Sequence, residues 1–434
     1  MARDGELDST VRIGLLGCGN VGAALVQLVA DQQRSIEART GLRLEITSVA
    51  VRNLSRERGV ALPDGVLTRD AHAVVEDPSI DLVVELIGGI EPARGLITTA
   101  LSNGKPVVTG NKELLANVGA ELYAVADASE VDLLFEASVA GGIPLMRALR
   151  ESLRGEPITR VMGIVNGTTN FILTKMSEEG ADYGAALAEA QALGFAERDP
   201  TADVEGFDAA AKAAIIATIA FGAQVVAGDV YHEGISRVTA HDIAVARRLG
   251  YVVKLLGIAE HDADTGEVGV RVHPAMVPVT HPLASVRDSY NAVFIEGRAV
   301  GSLMLYGRGA GGMPTASAVL GDVIDAAVNR SKGTYGSLGT IGKAVIRPID
   351  ETSAEYLLSL EVADRPGVLH AVTGVFARHG VSIRAAEQDG SGPDAKLVFI
   401  THVAKESAVQ ATLRELRELD VVLSVGGLLR VIGE

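Results

Sequence analysis

The chain of 434 residues has no tryptophan and a single cysteine, Cys18. One thiol cannot form an intrachain disulfide, which excludes a disulfide-stabilised secreted scaffold and favours a reducing compartment. The chain also has fewer basic than acidic side chains: 39 lysines and arginines against 55 aspartates and glutamates, which gives a net charge of -16. We therefore expect neither nucleic acid nor an anionic membrane surface to be the main partner.

Long apolar runs are missing as well. The N-terminal sequence MARDGELDSTVRIG contains no apolar core of a secretory signal. The most apolar stretch, residues 213–228, is interrupted by Thr218 and Gln224, and it is shorter than the roughly 20 residues of a membrane-spanning helix. These absences predict a protein with no membrane segment and a cytoplasmic location, and the length predicts roughly two to four domains.

A glycine-rich turn separates the first predicted strand from the first predicted helix. The strand is VRIGLLG, residues 11–17, and the following CGNVGAALVQLVADQQRSI has apolar residues at helical spacing. A G-x-G-x-x-G pattern at such a junction predicts a dinucleotide site, because glycine lets the pyrophosphate approach the backbone at a helix N-terminus. A glycine-rich connection without a ligand is the alternative. The predicted cofactor contacts here are Gly17, Gly19, Asn20, Val21 and Gly22.

The alternation of strands and helices continues to about residue 150. Four more apolar segments are typical of strands, and helical patterns separate most of them: 44–51, 81–88, 106–110 and 131–137. Repeated alternation of this kind predicts an α/β fold with a parallel, doubly wound sheet of the Rossmann type. The ligand of such a sheet is expected beyond the carboxyl ends of its strands.

The loop after the second predicted strand is basic rather than acidic. An NAD site usually offers Asp or Glu to the ribose about 20 residues beyond the glycines. Here the strand comes later and is followed by Arg52, Arg56 and Arg58. An arginine at this place suits a 2′-phosphate, which favours NADP as the cofactor with NAD as the alternative nucleotide, and Arg52 is the predicted contact. A solvated basic loop remains the alternative for any one of these arginines.

The rest of the chain divides into a less regular middle part and a regular C-terminal part. From about residue 355 the order is strand, helix, strand, strand, helix, strand, which is typical of a ferredoxin-like module. Before it, residues 307–330 form a second glycine-rich turn and helix, which either returns to the cofactor domain or caps the second domain. The predicted domains are 1–150, completed by about 306–340, an α+β domain at 151–305, and 355–434.

The segment ERDPTADVEGFDAAAKAAIIATIAFG, residues 197–222, places two charges in an otherwise apolar helix. Asp208 lies four residues before Lys212, so the pair shares one helix face with the acid on the favourable N-terminal side. An ordinary ion pair on a solvated surface, worth ~0.3–0.5 kcal/mol, is the alternative. The alanines and isoleucines around the pair leave little polar face, which favours a buried functional pair.

Taken together, these motifs resemble the homoserine dehydrogenase family, in its long form with a C-terminal ACT domain. The most specific of them are GLLGCGNVG, TGNKELLA, FEASVAGGIPL, GIVNGTTNFIL, the segment 197–222 and GRGAGGMPTASAVLGD. The resemblance implies reversible reduction of L-aspartate 4-semialdehyde to L-homoserine with a nicotinamide cofactor. It also implies that the middle domain binds substrate and forms subunit contacts, in a homodimer or homotetramer, and that the ACT domain senses L-threonine near Gly367.

The resemblance assigns roles to two lysines. Lys212 matches the general acid/base of the family and Asp208 its carboxylate partner, which fits the need of an aldehyde reduction for a proton that the cofactor does not supply. Lys112 follows a predicted strand at the ligand-facing end of the sheet and resembles the second active-site lysine, which contacts cofactor and substrate. A helix N-terminus without a ligand is the alternative for Lys112. Gly309 matches a further cofactor contact.

The resemblance also implies a substrate site and a cation site. Acidic residues suit the ammonium group of the substrate, and the matching positions are Glu197 and Asp203, with Asn166 and Thr168 as polar contacts. Asp199 and Glu205 are weaker candidates for binding the ammonium group. The alternative for both is a solvated charge in a loop or an acid at a helix N-terminus. The proposed monovalent cation, sodium, would be bound by oxygen ligands, which suit a hard cation. These are Glu136 and the carbonyls of Val139, Gly141 and Ile143.

Two other functions remain as alternatives. An aldehyde-oxidising dehydrogenase needs a thiolate nucleophile beside a base, and Cys18 lies inside the glycine turn, where its backbone would be committed to phosphate. A non-catalytic sensor would use the cofactor fold and the C-terminal module without chemistry. It would tolerate the loss of Lys212, whereas an enzyme would not.

Overall fold

The computed structural model describes residues 10–339, 341–390 and 395–433. Residues 1–9 of the predicted 1–150 domain lie outside them, as do 391–394 and 434 of the predicted 355–434 domain. The chain forms two compact units. The first comprises residues up to 157, 214–228 and 305–344, and the second comprises 158–213, 229–304 and 345–434. Among the helices of the described ranges, none is both long enough and apolar enough to cross a membrane.

The first part of the chain alternates strands with helices, as expected. Its strands are β1 (Thr10–Leu16), β2 (Arg43–Ala50), β3 (Leu67–Thr68), β4 (Leu82–Glu85), β5 (Val107–Thr109) and β6 (Leu133–Leu134). Its helices are α1 (Asn20–Thr40), α2 (Ala71–Glu76), α3 (Ala93–Ser102), α4 (Lys112–Ala128) and the short α5 (Leu145–Arg147).

These six strands form one parallel sheet in the order β3-β2-β1-β4-β5-β6. The chain winds outwards from β1 in both directions, which is the doubly wound order, so the predicted fold of this part is confirmed. The central strands are mostly apolar, with Leu15, Leu82 and Val84 fully buried, because both faces of such a sheet are covered. Ligands of this fold bind where the strand order reverses, next to the carboxyl end of β1.

The middle part of the chain mixes longer strands with helices. The strands are β7 (Ile158–Ile164), β8 (Ala223–Gln224), β9 (Tyr231–His232), β10 (Tyr251–His261), β11 (Glu267–Pro278), β12 (Tyr290–Gly297) and β13 (Gly301–Arg308). The helices are α6 (Gly167–Glu179), α7 (Tyr183–Ala192), α8 (Thr201–Val204), α9 (Phe207–Phe221) and α10 (Ala240–Arg248).

The last part begins with a long helix and ends in the predicted module. Its helices are α11 (Gly312–Lys332), α12 (Val368–Arg378) and α13 (Glu406–Leu416). Its strands are β14 (Gly342–Lys343), β15 (Val345–Ile346), β16 (Ser353–Val362), β17 (Ile383–Asp389), β18 (Lys396–Thr401), β19 (Ala404–Lys405) and β20 (Val422–Val431).

Helix α11 belongs to the first unit. Its buried Ala316, Val319 and Val323 share one apolar core with Leu25 and Val29 of α1. A Cβ at Gly312 would lie 3.3 Å from the carbonyl oxygen of Asn20, so the two helices begin close together. Of the two alternatives that the sequence left open, the second glycine-rich turn and its helix therefore return to the first unit.

The second unit contains one continuous sheet. Neighbouring strands run in the order β12-β7-β10-β11-β20-β16-β18-β17. The last four are antiparallel and, with α12 and α13, have the ferredoxin-like order that was predicted. The module joins the rest of the unit through a short parallel pairing of β11 with β20, in which Ala275 lies opposite Arg430.

Arg430 forms a buried charge network at this junction. Its guanidinium donates hydrogen bonds to Glu406 at 2.7 and 2.8 Å and to Glu233 at 2.7 and 3.1 Å. Glu406 also accepts a hydrogen bond of 2.9 Å from the Tyr356 hydroxyl. The side chains of Arg430 and Glu406 are only 3% and 1% exposed. One guanidinium therefore binds a carboxylate of the module and a carboxylate of the segment that follows β9.

We expect Arg430→Met to destabilise the second unit by about 3–5 kcal/mol, because it leaves the buried Glu406 carboxylate without its cation. The matched control is Arg384→Met. Arg384 pairs with Glu355 at 3.0 Å, with side chains 38% and 24% exposed, and the loss of such a pair costs ~1 kcal/mol or less. Urea unfolding of both variants measures the difference. Equal small losses would contradict the prediction.

Candidate active site

The glycine turn after β1 is built from three glycines with different surroundings. Gly17 has φ 95°, and a Cβ there would lie 2.7 Å from the carbonyl oxygen of Leu86. A Cβ at Gly22 would lie 2.5 Å from the carbonyl oxygen of Gly17. A Cβ at Gly19 would meet no atom within 4 Å. Gly17 and Gly22 are thus required by the turn and by close packing, whereas Gly19 leaves open space above it.

That open space lies at the N-terminus of α1. Gly19 is the N-cap, it provides no side-chain cap, and the first turn of α1, which includes Asn20, Val21 and Gly22, contains no acidic residue. The amide groups at the start of a helix need acceptors, and its dipole favours negative charge. The turn therefore fits a phosphate group, with no carboxylate of its own first turn to compete for the position.

The three arginines of the loop beyond β2 differ in their exposure and in their hydrogen bonds. Arg52 and Arg56 are exposed. The guanidinium of Arg58 is bound to its own loop, where it donates to the carbonyls of Asn53, Leu54 and Arg56. The exposed pair is therefore available to a phosphate, and Arg58 has a structural role.

Cys18 is half-buried beside the same loop. Burial raises the pKa of the Cys18 thiol, and the charge of Arg58 opposes this rise. A raised pKa disfavours the thiolate, which is the nucleophilic form of cysteine. The chemistry of an aldehyde-oxidising enzyme, which proceeds through a thiolate, is disfavoured at this position.

Lys112 lies at the carboxyl end of β5, as expected from the sequence. It is the first residue of α4 and is exposed. The preceding Asn111 caps the helix by accepting a hydrogen bond of 3.1 Å from the amide of Leu114, and it donates one of 2.7 Å to the carbonyl of Gly89. These bonds fix the position from which the Lys112 side chain projects.

The loop of the predicted cation site follows β6. The buried carboxylate of Glu136 accepts hydrogen bonds from the amides of Met146 at 2.8 Å and Arg147 at 2.7 Å, and its own amide donates to Asp322 at 2.7 Å. Burial raises the pKa of Glu136, against the effect of the two amides. Within the described ranges, no group of three or more His, Cys, Asp or Glu side chains is placed to hold a metal ion.

The other predicted residues of this loop form a tight turn. Gly141 has φ 51°, and a Cβ there would overlap the carbonyl of Gly309. Gly142 donates a hydrogen bond of 3.0 Å to the carbonyl of Arg308. Val139 and Ile143 are buried on either side of the turn. The predicted cofactor contact Gly309 and the predicted cation loop are therefore packed against each other.

Lys212 of the second unit is held by two acceptors. Its Nζ donates hydrogen bonds of 2.7 Å to Asp208 Oδ2 and of 2.7 Å to the carbonyl of Val165. The side chains of Lys212 and Asp208 are 12% and 5% exposed. This is the buried pair that the sequence favoured, not an ion pair on a solvated surface.

Asn166 connects this pair to a second carboxylate. Its side-chain nitrogen donates to Asp208 Oδ2 at 2.9 Å and to Asp203 Oδ1 at 2.7 Å, while its oxygen accepts the amide of Thr169 at 2.9 Å and caps α6. The Thr168 hydroxyl lies 2.7 Å from the carbonyl oxygen of Phe195 and 3.1 Å from Asp203 Oδ2. Both N–H groups of Asn166 are therefore used within the protein.

The remaining acidic residues differ in their surroundings. Glu197 is exposed, and among the described residues its carboxylate makes no hydrogen bond to this network. Asp199 accepts hydrogen bonds from the hydroxyl and amide of Thr201 at the start of α8, and these bonds lower the pKa of Asp199. Glu205 ends α8. The structure thus brings Lys212, Asp208, Asn166, Thr168 and Asp203 together and leaves Glu197 at the surface.

One member of the network, and one buried lysine outside it, could not be found from the sequence. The carbonyl of Val165 is the second acceptor of Lys212, and a carbonyl group leaves no signal in the residue type. Lys254 of β10 is buried and donates a hydrogen bond of 2.9 Å to the side chain of Asn170 on α6. Burial lowers the pKa of Lys254 to about 8. The sequence signal for this contact is a lysine within the apolar run that begins β10, residues 251–259.

Comparison with protein families gives three matches along the chain. Residues 17–136 match the family described as "Homoserine dehydrogenase, NAD binding domain", residues 144–324 match "Homoserine dehydrogenase", and residues 356–421 match "ACT domain".

Individual proteins give the same result. The chain is 48% identical to the homoserine dehydrogenase of Corynebacterium glutamicum over 427 residues, covering 98% of this chain and 96% of the relative. The crystal structure of a homoserine dehydrogenase from Thiobacillus denitrificans superimposes with a TM-score of 0.91 at 40% identity, covering 98% of both chains. A hyperthermophilic archaeal homoserine dehydrogenase in complex with NADPH matches with a TM-score of 0.63 at 31% identity, covering 74% of this chain and 98% of that one.

The surroundings of the three glycines predict two kinds of defect. Gly19→Ala should leave stability unchanged, because a Cβ there meets open space, but should weaken NADPH binding by about tenfold or more by occupying the place of the phosphate. Gly17→Ala, in contrast to Gly19→Ala, should lower the free energy of unfolding by about 1–3 kcal/mol, because alanine is strained at this φ.

The control is Gly155→Ala, where a Cβ likewise meets no atom within 4 Å. NADPH fluorescence titration and thermal unfolding measure the two effects. Unchanged NADPH affinity in Gly19→Ala would show that the turn does not bind the pyrophosphate.

Proposed function

Because the chain belongs to the homoserine dehydrogenase family, we propose that Lys212 exchanges the proton of the reaction and that the glycine turn after β1 holds the cofactor. The enzyme interconverts L-aspartate 4-semialdehyde and L-homoserine, and its NAD-binding domain is that of the family. The observation that carries the proposal for Lys212 is its position between two fixed acceptors at 2.7 Å in a nearly buried site.

The chemistry of the reduction defines what Lys212 has to do. The bound nicotinamide supplies the hydride when the cofactor is present. The aldehyde oxygen gains negative charge as it becomes an alkoxide, and it needs a proton at that moment. An ammonium group has three N–H bonds, and the hydrogen bonds of the described residues use two of those of Lys212. The third is left for the substrate oxygen, and in the reverse direction the amine takes the proton from the alcohol.

Asp208 and Asn166 keep Lys212 in place during this exchange. Asp208 Oδ2 accepts from both Lys212 and Asn166, and it is buried, so its position is determined from two sides. The negative charge of Asp208 attracts the ammonium group, and the carbonyl of Val165 limits rotation of the side chain. A fixed donor is effective because little reorganisation is needed as charge develops.

Asp203 is proposed to bind the substrate ammonium group. Its carboxylate is partly exposed and is oriented by Asn166 and by the Thr168 hydroxyl. Since both N–H groups of Asn166 are already used, we assign Asn166 to positioning Asp203 and Asp208 rather than to direct substrate contact, and Thr168 to the same purpose. Glu197, which is exposed, is proposed as a second carboxylate for the ammonium group.

NADP is proposed as the preferred form of the cofactor. The support in this chain is the exposed Arg52 just beyond β2, at the end of the strand where the adenine ribose is recognised in this fold. The archaeal relative in complex with NADPH supports the same assignment. Lys112 and Gly309 are proposed as further contacts of the cofactor, with Lys112 acting as a second active-site lysine.

A monovalent cation, sodium, is proposed at the loop 136–143. Both oxygens of the Glu136 carboxylate already accept amide hydrogen bonds. The carboxylate is thus directed to the start of α5, and we assign cation binding to main-chain oxygens, which suit a hard cation. The proposed set is the carbonyls of Glu136, Val139, Gly141 and Ile143.

The C-terminal module is an ACT domain, and we propose that it regulates the enzyme through L-threonine. Gly367 begins α12 with φ 92°, and a Cβ there would meet no atom within 4 Å, which leaves space for a ligand at the backbone. Further proposals are a homodimer or homotetramer, a cytoplasmic location and domain boundaries at 1–150 with 306–340, 151–305 and 355–434. A non-catalytic sensor is not favoured, since full-length relatives are named as the enzyme.

The proton-transfer role predicts that Lys212→Met lowers the turnover of homoserine by about 10²–10⁴-fold, which is the usual effect of removing a general acid/base. NADPH affinity should be nearly unchanged, because the glycine turn is intact. Lys175→Met is the control, since Lys175 of α6 pairs with Glu179 and Glu189 and is 20% exposed. Steady-state rates with both cofactors provide the measurement. A variant that retains most of the turnover would exclude the proton-transfer role.

The cofactor preference makes a separate prediction. Arg52→Asp should weaken NADPH by about 10- to 100-fold, because a charged hydrogen bond to the 2′-phosphate is replaced by repulsion, and should affect NADH far less. Arg56→Asp is the comparison, because Arg56 lies in the same loop and is also exposed. Dissociation constants for both nucleotides distinguish the outcomes, and an equal change for NADH and NADPH would show that Arg52 does not meet the 2′-phosphate.

A further inference from the structure

Lys254 of β10 is a buried ammonium group that the proposed mechanism does not use. The residue is only 2% exposed, and its Nζ donates hydrogen bonds to Asn170 Oδ1 at 2.9 Å and to the carbonyl of Val286. Both of these acceptors are neutral oxygens, and burying a charge costs free energy that an apolar side chain of similar length would not cost. Stability alone therefore does not account for a lysine at this position, and the groups that it holds indicate its role.

Asn170 of α6 takes a defined orientation from this lysine. Because an ammonium group can only donate, the side-chain oxygen of Asn170 faces Lys254 and its nitrogen faces the turn before β12. That nitrogen lies 2.9 Å from the carbonyl oxygen of Asp288, 3.2 Å from that of Tyr290 and 3.4 Å from that of Val286. Asn170 thus joins the strand β10, the helix α6 and the turn before β12.

The first turn of α6 also carries Asn166. The amide of Asn170 donates a hydrogen bond of 3.3 Å to the carbonyl of Asn166, which is the N-cap of the helix. A Cβ at Gly167 would lie 2.7 Å from the carbonyl oxygen of Ser289, so the start of α6 packs directly on the turn before β12. Asn166 in turn donates to the two carboxylates of the proposed site. A continuous path of hydrogen bonds therefore runs from Lys254 to that site.

We propose that Lys254 is a positioning residue for the reaction, acting through Asn170 on Asn166. It fixes the first turn of α6, and that turn fixes the two N–H groups of Asn166 that hold Asp208 and Asp203. Lys254 is assigned no contact with substrate or cofactor. The inference rests on the proposed function, because the position of Asp208 affects the rate only if its lysine partner transfers the proton.

The first test is Lys254→Met in the full chain, with saturating NADP⁺ and L-homoserine. We expect the rate constant of a single turnover to fall about tenfold, because Asn170 loses its donor and the first turn of α6 shifts, and a displacement of ~1 Å can cost up to about 10²-fold. The KM for homoserine should rise as well, since Asn166 also holds Asp203, while the dissociation constant of NADPH should be unchanged. A smaller folded fraction would lower only the amplitude of the single turnover, so the rate constant and the KM distinguish positioning from a loss of stability.

The second test asks whether Lys254 acts through Asn166. Asn166→Ser keeps an oxygen that caps α6, because serine is a good N-cap, but it lacks the N–H groups that bind the two carboxylates. In this background Lys254→Met should lower the rate constant by less than about twofold, because the path is already interrupted, whereas independent effects would multiply to about a further tenfold.

Lys105→Met is the matched control. Lys105 is also a buried lysine, 5% exposed, and it donates a hydrogen bond to the carbonyl of Asp77. It precedes β5 in the first unit, at the end of the strand opposite to the end where ligands of this fold bind. The rate constant and the KM of this variant should equal those of the unaltered chain.

An unchanged rate constant and KM in Lys254→Met would overturn the inference, as would a loss that persists undiminished in the Asn166→Ser background. Lys254→Gln retains N–H donors on a shorter side chain, so it carries the same comparison should the methionine variant not fold. Its loss of rate should be smaller, and an equal loss in both backgrounds would again overturn the inference. Lys212→Met tests the proposed function separately: loss of turnover there, with full turnover in Lys254→Met, would overturn this inference alone.

Discussion

The proposed catalytic site of the second unit depends on the ion pair between Lys212 and Asp208. Removing an ammonium and a carboxylate from water costs several kcal/mol for each ion, and their attraction offsets this only if other hydrogen bonds satisfy the remaining polar atoms. Asn166 supplies one such bond to Asp208, and the carbonyl of Val165 accepts one from Lys212. The pair is therefore stable only where β7 ends, α6 begins and α9 starts within hydrogen-bonding distance of one another.

That requirement explains the local sequence. A lysine can reach the end of β7 only if the residues around it are small, and alanine fills most positions of α9 near Lys212, with Ala209, Ala210 and Ala213 nearly inaccessible to solvent. Asn166 serves two purposes, because one oxygen caps α6 while one nitrogen binds two carboxylates. Asparagine is suited to this position because its side chain carries both an acceptor and two donors.

The sequence predicted the features that depend on neighbouring residues. The glycine turn, the alternation that produces the doubly wound sheet, the ferredoxin-like order and the Asp208–Lys212 pair are all set by short spacings. It could not predict partners that folding brings from far along the chain. The predicted substrate contact Asn166 proved to have its N–H groups bound to Asp203 and Asp208, 37 and 42 residues away. The carboxylate of Glu136 proved to be bound by amides at the start of α5. The partners of Asn166 and of Glu136 leave no repeating pattern in the sequence from which these hydrogen bonds could be predicted.

The proposed cofactor and cation sites of the first unit rely mainly on main-chain groups, whereas the proposed substrate site of the second unit relies mainly on side chains. In the first unit the main chain carries much of the proposed recognition, beside the side chains of Arg52 and Lys112: glycines leave room, helix amides offer donors, and turn carbonyls offer oxygens. Such a site depends on residues with little or no side chain, as at Gly17 and Gly22, where a Cβ would overlap the main chain. In the second unit side chains carry it, each satisfied by another, so the loss of one member leaves a buried charge or polar group without a partner. The net charge of -16 is compatible with both, because each site is governed by local charges rather than by the total.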